Sequence, residues 1–171
     1  SPCIFFLILA LVSQFFTNSV LAAVAYNHTA GTYTVDFSST SGLYSINYAS
    51  ANSSTGKLQL THDDSQSSFS TPYKTSGSVF IYYVMPISVA KWNSITFDST
   101  VPEGTTLSVQ VYGKETDLTP DTYLPGNSTG FSTSPINLSS LPVMLTSNNE
   151  GKISRLDIKI SMTTNNPTDA A

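Results

Sequence analysis

The residues able to do chemistry are few and scattered. The chain holds two histidines, His28 and His62, and one cysteine, Cys3. Two histidines cannot build a multi-histidine metal centre, and a thiol inside an apolar run is disfavoured as a thiolate. No Gly-rich phosphate loop, nucleophile elbow or zinc-protease helix motif occurs. The one local cluster is His62-Asp63-Asp64, for which Asp117 and Asp121 are the loop partners that a hard cation such as calcium would need. Neighbouring carboxylates point apart and are common in turns, so the expectation is a solvated turn. No catalytic residue, no metal and no cofactor is expected.

Covalent modification and stacking are the other chemistries on offer. Four Asn-x-Ser/Thr sequons occur, at Asn27, Asn52, Asn127 and Asn137, and each is a candidate glycosylation site on an exported chain. Asn52 and Asn127 fall in predicted loops, where a glycan stays solvated. The competing reading is turn chemistry, because Asn and Ser hydrogen-bond their own backbone. Among the nine tyrosines, Tyr73 and Tyr123 lie in predicted loops and are expected at the surface, where a ring can stack on a sugar. Most of the others are expected to pack within sheets, and Trp92 within the core.

These groups need a scaffold, and its size and charge are bounded. The 171 residues suit one domain, and a single cysteine allows no disulfide within the chain. Only 11% of the residues are charged and the net charge is −4. A nucleic acid partner, which demands a basic field, is therefore disfavoured.

The N-terminus is apolar from Cys3 to Tyr26, and no charged residue precedes Asp36. As a helix this stretch is long enough to cross about 30 Å of hydrocarbon. Three readings compete. A secretory signal peptide would use Cys3 to Phe16 as its apolar stretch and Val20-Leu21-Ala22 as the cleavage site, although the basic flank is missing. The others are a retained membrane anchor and an assembly helix that passes from the membrane into a filament core. Ser1 in place of Met favours processing, and with it the assembly helix. The expected organisation is an apolar helix over 1–28, a head domain over 29–163 and an exposed polar tail over 164–171.

From Gly31 the pattern becomes period-two. Tyr33, Val35 and Phe37 alternate with polar residues, as do Tyr44, Ile46 and Tyr48, and both sets predict strands with one buried face. Leu58 and Leu60 predict a short strand, and the continuous run Val79 to Val84 a central one. A hairpin is expected from Asn93–Asp98 and Thr105–Tyr112 around Val101-Pro102-Glu103-Gly104, with Leu107, Val109 and Val111 facing inward. The last predicted strand, Ile153 to Ser161, sets Leu156, Ile158 and Ile160 against Asp157, Lys159 and Ser161. Lys114 to Thr133 reads as an ordered surface loop. The expected fold is mainly β, an N-terminal apolar α-helix followed by an antiparallel β-sandwich head.

An apolar N-terminal helix joined without a linker to a β-rich head resembles type IV pilins. The opening Ser1-Pro2 before an aliphatic run is similar to the start of archaeal pilins, and Phe5 stands where bacterial pilins usually carry Glu. The order WNSITFDSTVPEGTTLSVQVYG, SPINLSSLP and LDIKISMTT between Trp92 and Thr163 looks like the β-sandwich modules of prokaryotic cell-surface proteins. The resemblance implies a structural subunit of an extracellular cell-surface filament, a helical homopolymer of identical subunits. Its core would hold Pro2, Ile4, Phe5, Phe6, Leu7, Ile8, Leu9, Leu11, Val12, Phe15, Phe16, Val20, Leu21 and Val24, stored in the membrane before assembly. The outward heads would contact glycans or other cell surfaces. Two alternatives remain open: a secreted carbohydrate-binding or adhesin sandwich whose residues 1–22 are a cleaved signal peptide, and a filament held by donated strands.

Overall fold

The computed structural model describes residues 24–27, 31–63, 72–86, 89–114, 117–143 and 152–166, and these form antiparallel β structure. The main sheet has five strands. In spatial order they are β3 (Leu43–Asn47), β6 (Ser76–Val84), β11 (Leu156–Thr164), β8 (Thr105–Lys114) and β9 (Asp117–Leu118). Three two-stranded ribbons accompany it. They pair β1 (Val24–Asn27) with β2 (Thr32–Val35), β4 (Ala49–Asn52) with β5 (Lys57–Leu60), and β7 (Ser94–Ile95) with β10 (Ile136–Asn137).

Registered pairing sends one row of side chains to each face of the sheet. Leu43, Ile81, Ile158 and Val111 line up across one face, as do Val79, Ile160 and Val109. This face is the core, joined by Ile136, Leu138 and Leu141, by Leu124, and by the half-buried Tyr33, Val35, Trp92 and Ile95. Ribbons and loops thus cover the sheet. Leu60, Leu138, Leu156, Val79 and Val111 are fully buried, each contributing about 1.5–3 kcal/mol of apolar transfer. At the other end of the same face, Met162 and the half-buried Leu107 meet Ala49 and Leu60 of the β4–β5 ribbon.

That ribbon approaches closely because Gly77 has no side chain. A Cβ there would lie 2.5 Å from the Tyr48 carbonyl oxygen and 2.8 Å from Leu60 Cδ2. Gly77→Ala is expected to destabilise the domain by about 1–3 kcal/mol, read as a lower thermal midpoint. Ser76→Ala, at an exposed neighbour, should leave the midpoint unchanged.

Several expected features stand. Val79 to Val84 is a central strand, Val109 and Val111 face the core, and β11 alternates as its sequence demands. Others need correction. The filament-helix residues Pro2 to Leu21 lie outside the described residues, but Val24 belongs to a strand and pairs with Val35. An apolar run gives no period by which to tell a helix from a buried strand. Tyr44, Ile46 and Tyr48 do not face inward, and their exposures are 45, 42 and 52%. Leu43 takes the core position, and a bulge with Ser45 at φ 46° breaks the alternation after Tyr44.

The expected hairpin around Pro102 is also absent. The turn exists, with Thr105 N–H donating to the Pro102 carbonyl, but its flanks part company. β7 pairs with β10, while β8 pairs with β11 and β9. Finally, β11 runs to Thr164, which is buried, so the head extends past residue 163. Residues 167–171 of the expected tail lie outside the described residues.

Candidate functional site

The second face of the main sheet carries a cluster of five aromatic rings. Tyr44, Phe80, Lys159 and Gln110 form one registered row across four strands, and Asp157 opposite Tyr112 belongs to the next. Tyr44 stacks on Tyr82 with ring centroids 5.2 Å apart and 21° between planes. Phe80 lies 5.2 Å from Tyr82 and 5.5 Å from Tyr112. Tyr83 meets Tyr44 and Tyr82 edge-on, each at 6.2 Å. Side chains stand roughly perpendicular to a sheet, so these rings rise from it.

A bulge sets the geometry at Tyr83. The register between β6 and β11 shifts between Leu156 and Ile158, and Tyr83 takes φ 64°. Its N–H, displaced from the ladder, donates to Asp157 Oδ1 at 2.9 Å. Asp157 is fully buried and its two oxygens accept a fork from Arg155, Nε at 3.1 Å and Nη2 at 2.8 Å. The same guanidinium lies over the Tyr83 ring, 4.0 Å from its centroid. One buried carboxylate therefore holds a strained backbone and a cation against one of the two most exposed rings of the cluster, Tyr83 and Tyr44.

Lys159 is the second cation, with Nζ 5.8 Å from the Phe80 centroid. Away from the rings the face turns to hydroxyls. Ser78, Ser161 and Ser108 form one row, and Thr106 donates to or accepts from Thr163 at 2.6 Å. Tyr33, on the core side of β2, is influenced by this cluster: burial pushes its hydroxyl above the ordinary tyrosine range, and Tyr44 adds to the shift.

The tyrosines expected at the surface behave differently. Tyr73 is half-buried, bridges to His62 and stacks on its ring at 4.2 Å. Tyr123 is 37% exposed, but it stands in the 120–130 loop, apart from the cluster. Trp92 packs against the core and donates from Nε1 to the Ile153 carbonyl at 2.8 Å.

The candidate cation ligands are each engaged separately. Asp63 pairs with Lys74 at 2.6 Å and Asp117 with Lys114 at 2.7 Å. Asp121 accepts from Ser128 Oγ at 2.6 Å and Ser128 N–H at 2.8 Å, and these bonds, the hydroxyl's first, hold its carboxyl below the usual range. Asp64 and His28 lie outside the described residues. Among the described residues no three His, Cys, Asp or Glu side chains converge.

The four sequon asparagines are dispersed and differ in kind. Asn27 and Asn137 are exposed. Asn52 is half-buried, accepts from the N–H groups of Ser54 and Thr55, and donates to Gln59 Oε1. Asn127 corrects the expectation of a solvated glycan site, because it is completely buried. Its Oδ1 accepts from Val111 N–H at 2.7 Å, and its Nδ2 donates to the carbonyls of Val111 at 2.7 Å and Thr119 at 2.9 Å. The carboxamide acts as a peptide group completing the open edge of β8. In the folded domain its nitrogen cannot also carry a sugar.

No model of a known protein family, no curated protein and no solved structure matches this chain. Among the described residues no helix is long and apolar enough to cross a membrane.

Proposed function

We propose that the chain is a structural subunit of an extracellular cell-surface filament, held by its apolar N-terminal segment and displaying a β-sandwich head. The observation that carries this reading is the junction at Val24. The apolar run leads straight into β1, and β1 is paired residue by residue with β2, whose Tyr33 and Val35 pack on the core. A tethered binding module needs slack between anchor and head, whereas a subunit that tiles a filament needs its head fixed to its core segment.

The residues before Val24 would span about 35 Å as a helix, still enough to cross about 30 Å of hydrocarbon. Packed among copies, they would leave water at about 25 cal/mol per Å². In this reading the five-stranded sheet and its covering ribbons are the two layers of the sandwich, since their side chains share one core.

The test is N-terminal sequencing of the mature protein recovered from the cell surface, with electron microscopy of the same material. Retained residues ahead of Val24 in protein from filaments would support the reading. A mature start near Ala23 would overturn it in favour of a secreted domain. Within the filament reading, Leu9→Arg is expected to abolish assembly while leaving the Trp92 fluorescence of the head unchanged.

A further inference from the structure

We propose that the aromatic face of the main sheet is a binding site for an anionic polysaccharide of the polyuronate class, centred on Tyr44, Tyr83 and Lys159. This inference goes beyond assembly and does not depend on it.

Three observations converge on this ligand. First, the exposed rings are tyrosines, 45% open at Tyr44 and 48% at Tyr83. Each offers an apolar surface to the C–H face of a pyranose and a hydroxyl to its polar rim. Second, the charge balance of the face is inverted relative to the chain. The net charge of the protein is −4, yet the carboxylate beside the rings, Asp157, is buried and forked by Arg155, and Asp117 at the β9 edge of the sheet is paired with Lys114. Lys159 forms no ion pair among the described residues and stands in the central strand beside Phe80. A sugar carboxylate is the complement to such a cation. Third, the face continues into the Ser78, Ser161 and Ser108 row, which suits a hydroxylated chain.

The backbone prepares the site before any ligand arrives. The bulge at Tyr83 and its bond to Asp157 fix the ring, and the Arg155 guanidinium occupies one side of it. A ring already held in place loses little freedom on binding.

The experiment is affinity electrophoresis of the full chain in mild detergent through gels containing polygalacturonate, with gels containing dextran as the neutral control. Retardation by polygalacturonate alone is expected. Tyr44→Ser should weaken it about 5-fold, and Lys159→Gln should weaken it about 5-fold while removing most of its salt dependence. Equal retardation by dextran, with Lys159→Gln without effect, would overturn the anionic class. No retardation by either polysaccharide would overturn the site. So would concentration-dependent dimerisation that Tyr44→Ser abolishes, since the face would then be a contact between copies.

Discussion

Arg155→Ala should lower the unfolding free energy by about 3–5 kcal/mol, the range for stranding one partner of a buried ion pair. Asp157 has no exposed surface and Arg155 little, with 19% of its side chain open. Removing the guanidinium takes away both arms of the fork and leaves a buried carboxylate that still accepts from the Tyr83 N–H. Denaturant unfolding followed by near-ultraviolet circular dichroism reads the effect, because the rings around Tyr83 report the same region. Two further variants separate the causes. Arg155→Lys keeps the charge but cannot make the planar two-pronged contact, so it should recover only part of the loss. In the double variant Arg155→Ala with Asp157→Asn, no charge is stranded and an amide oxygen still accepts from Tyr83. It should be more stable than Arg155→Ala alone. A double variant no better than the single would show that the guanidinium acts by packing on Tyr83, not by neutralising Asp157.

Asn127→Ala should cost about 2–4 kcal/mol, because three hydrogen bonds go at once and two backbone groups, Val111 N–H and Thr119 C=O, lose the partner that Asn127 gives them, while Val111 C=O keeps the Thr119 N–H. The isosteric Asn127→Asp should be no milder. It keeps the acceptor for Val111 N–H but turns the two donors into a carboxylate oxygen facing two carbonyls, with no cation paired to it. Thermal unfolding of the two variants measures both. Glycopeptide mapping of the protein recovered from its native cells gives an independent check, with no sugar expected at Asn127. Modification at Asn127 in folded protein would contradict the buried geometry outright. Should Asn27 or Asn137 carry sugar, their exposure accounts for it.

The parts of the fold legible in the sequence are those whose side-chain period directly reports burial. Leu107 to Val111 and Leu156 to Ile160 are long enough for alternation to fix both the strand and its inner face, while Val79 to Val84, an unbroken apolar run, shows a central strand without saying which residues face inward. Where a bulge intervenes, alternation misleads. Tyr44, Ile46 and Tyr48 share a period but point away from the core, because Leu43 holds the inward position and Ser45 resets the backbone.

Pairing partners were illegible for a different reason. A turn at Pro102 to Gly104 fixes where the chain bends and says nothing about which strand receives it, so β7 joins β10 across 40 residues of sequence. The aromatic cluster has the same origin: Tyr44, Phe80 and Tyr112 are remote in sequence and meet only because β3, β6, β11 and β8 are neighbours. Arg155-Leu156-Asp157 reads as ordinary strand alternation, and nothing local announces that its carboxylate receives the Tyr83 amide. Asn127 misled because a sequon and a buried peptide mimic look identical until the surroundings are known.

The position of β11 carries a consequence for the order of events during biosynthesis. It is the last strand in sequence among the described residues, yet it sits between β6 and β8 and supplies most of the ladder that each of them has. Until residues 156–164 emerge, β6 and β8 have no shared partner, and the loops to be closed run over tens of residues. The main sheet therefore forms as a single late event. A chain still being synthesised or threaded through a channel can close its local ribbons, but its main sheet and core close only when residues 156–164 are released.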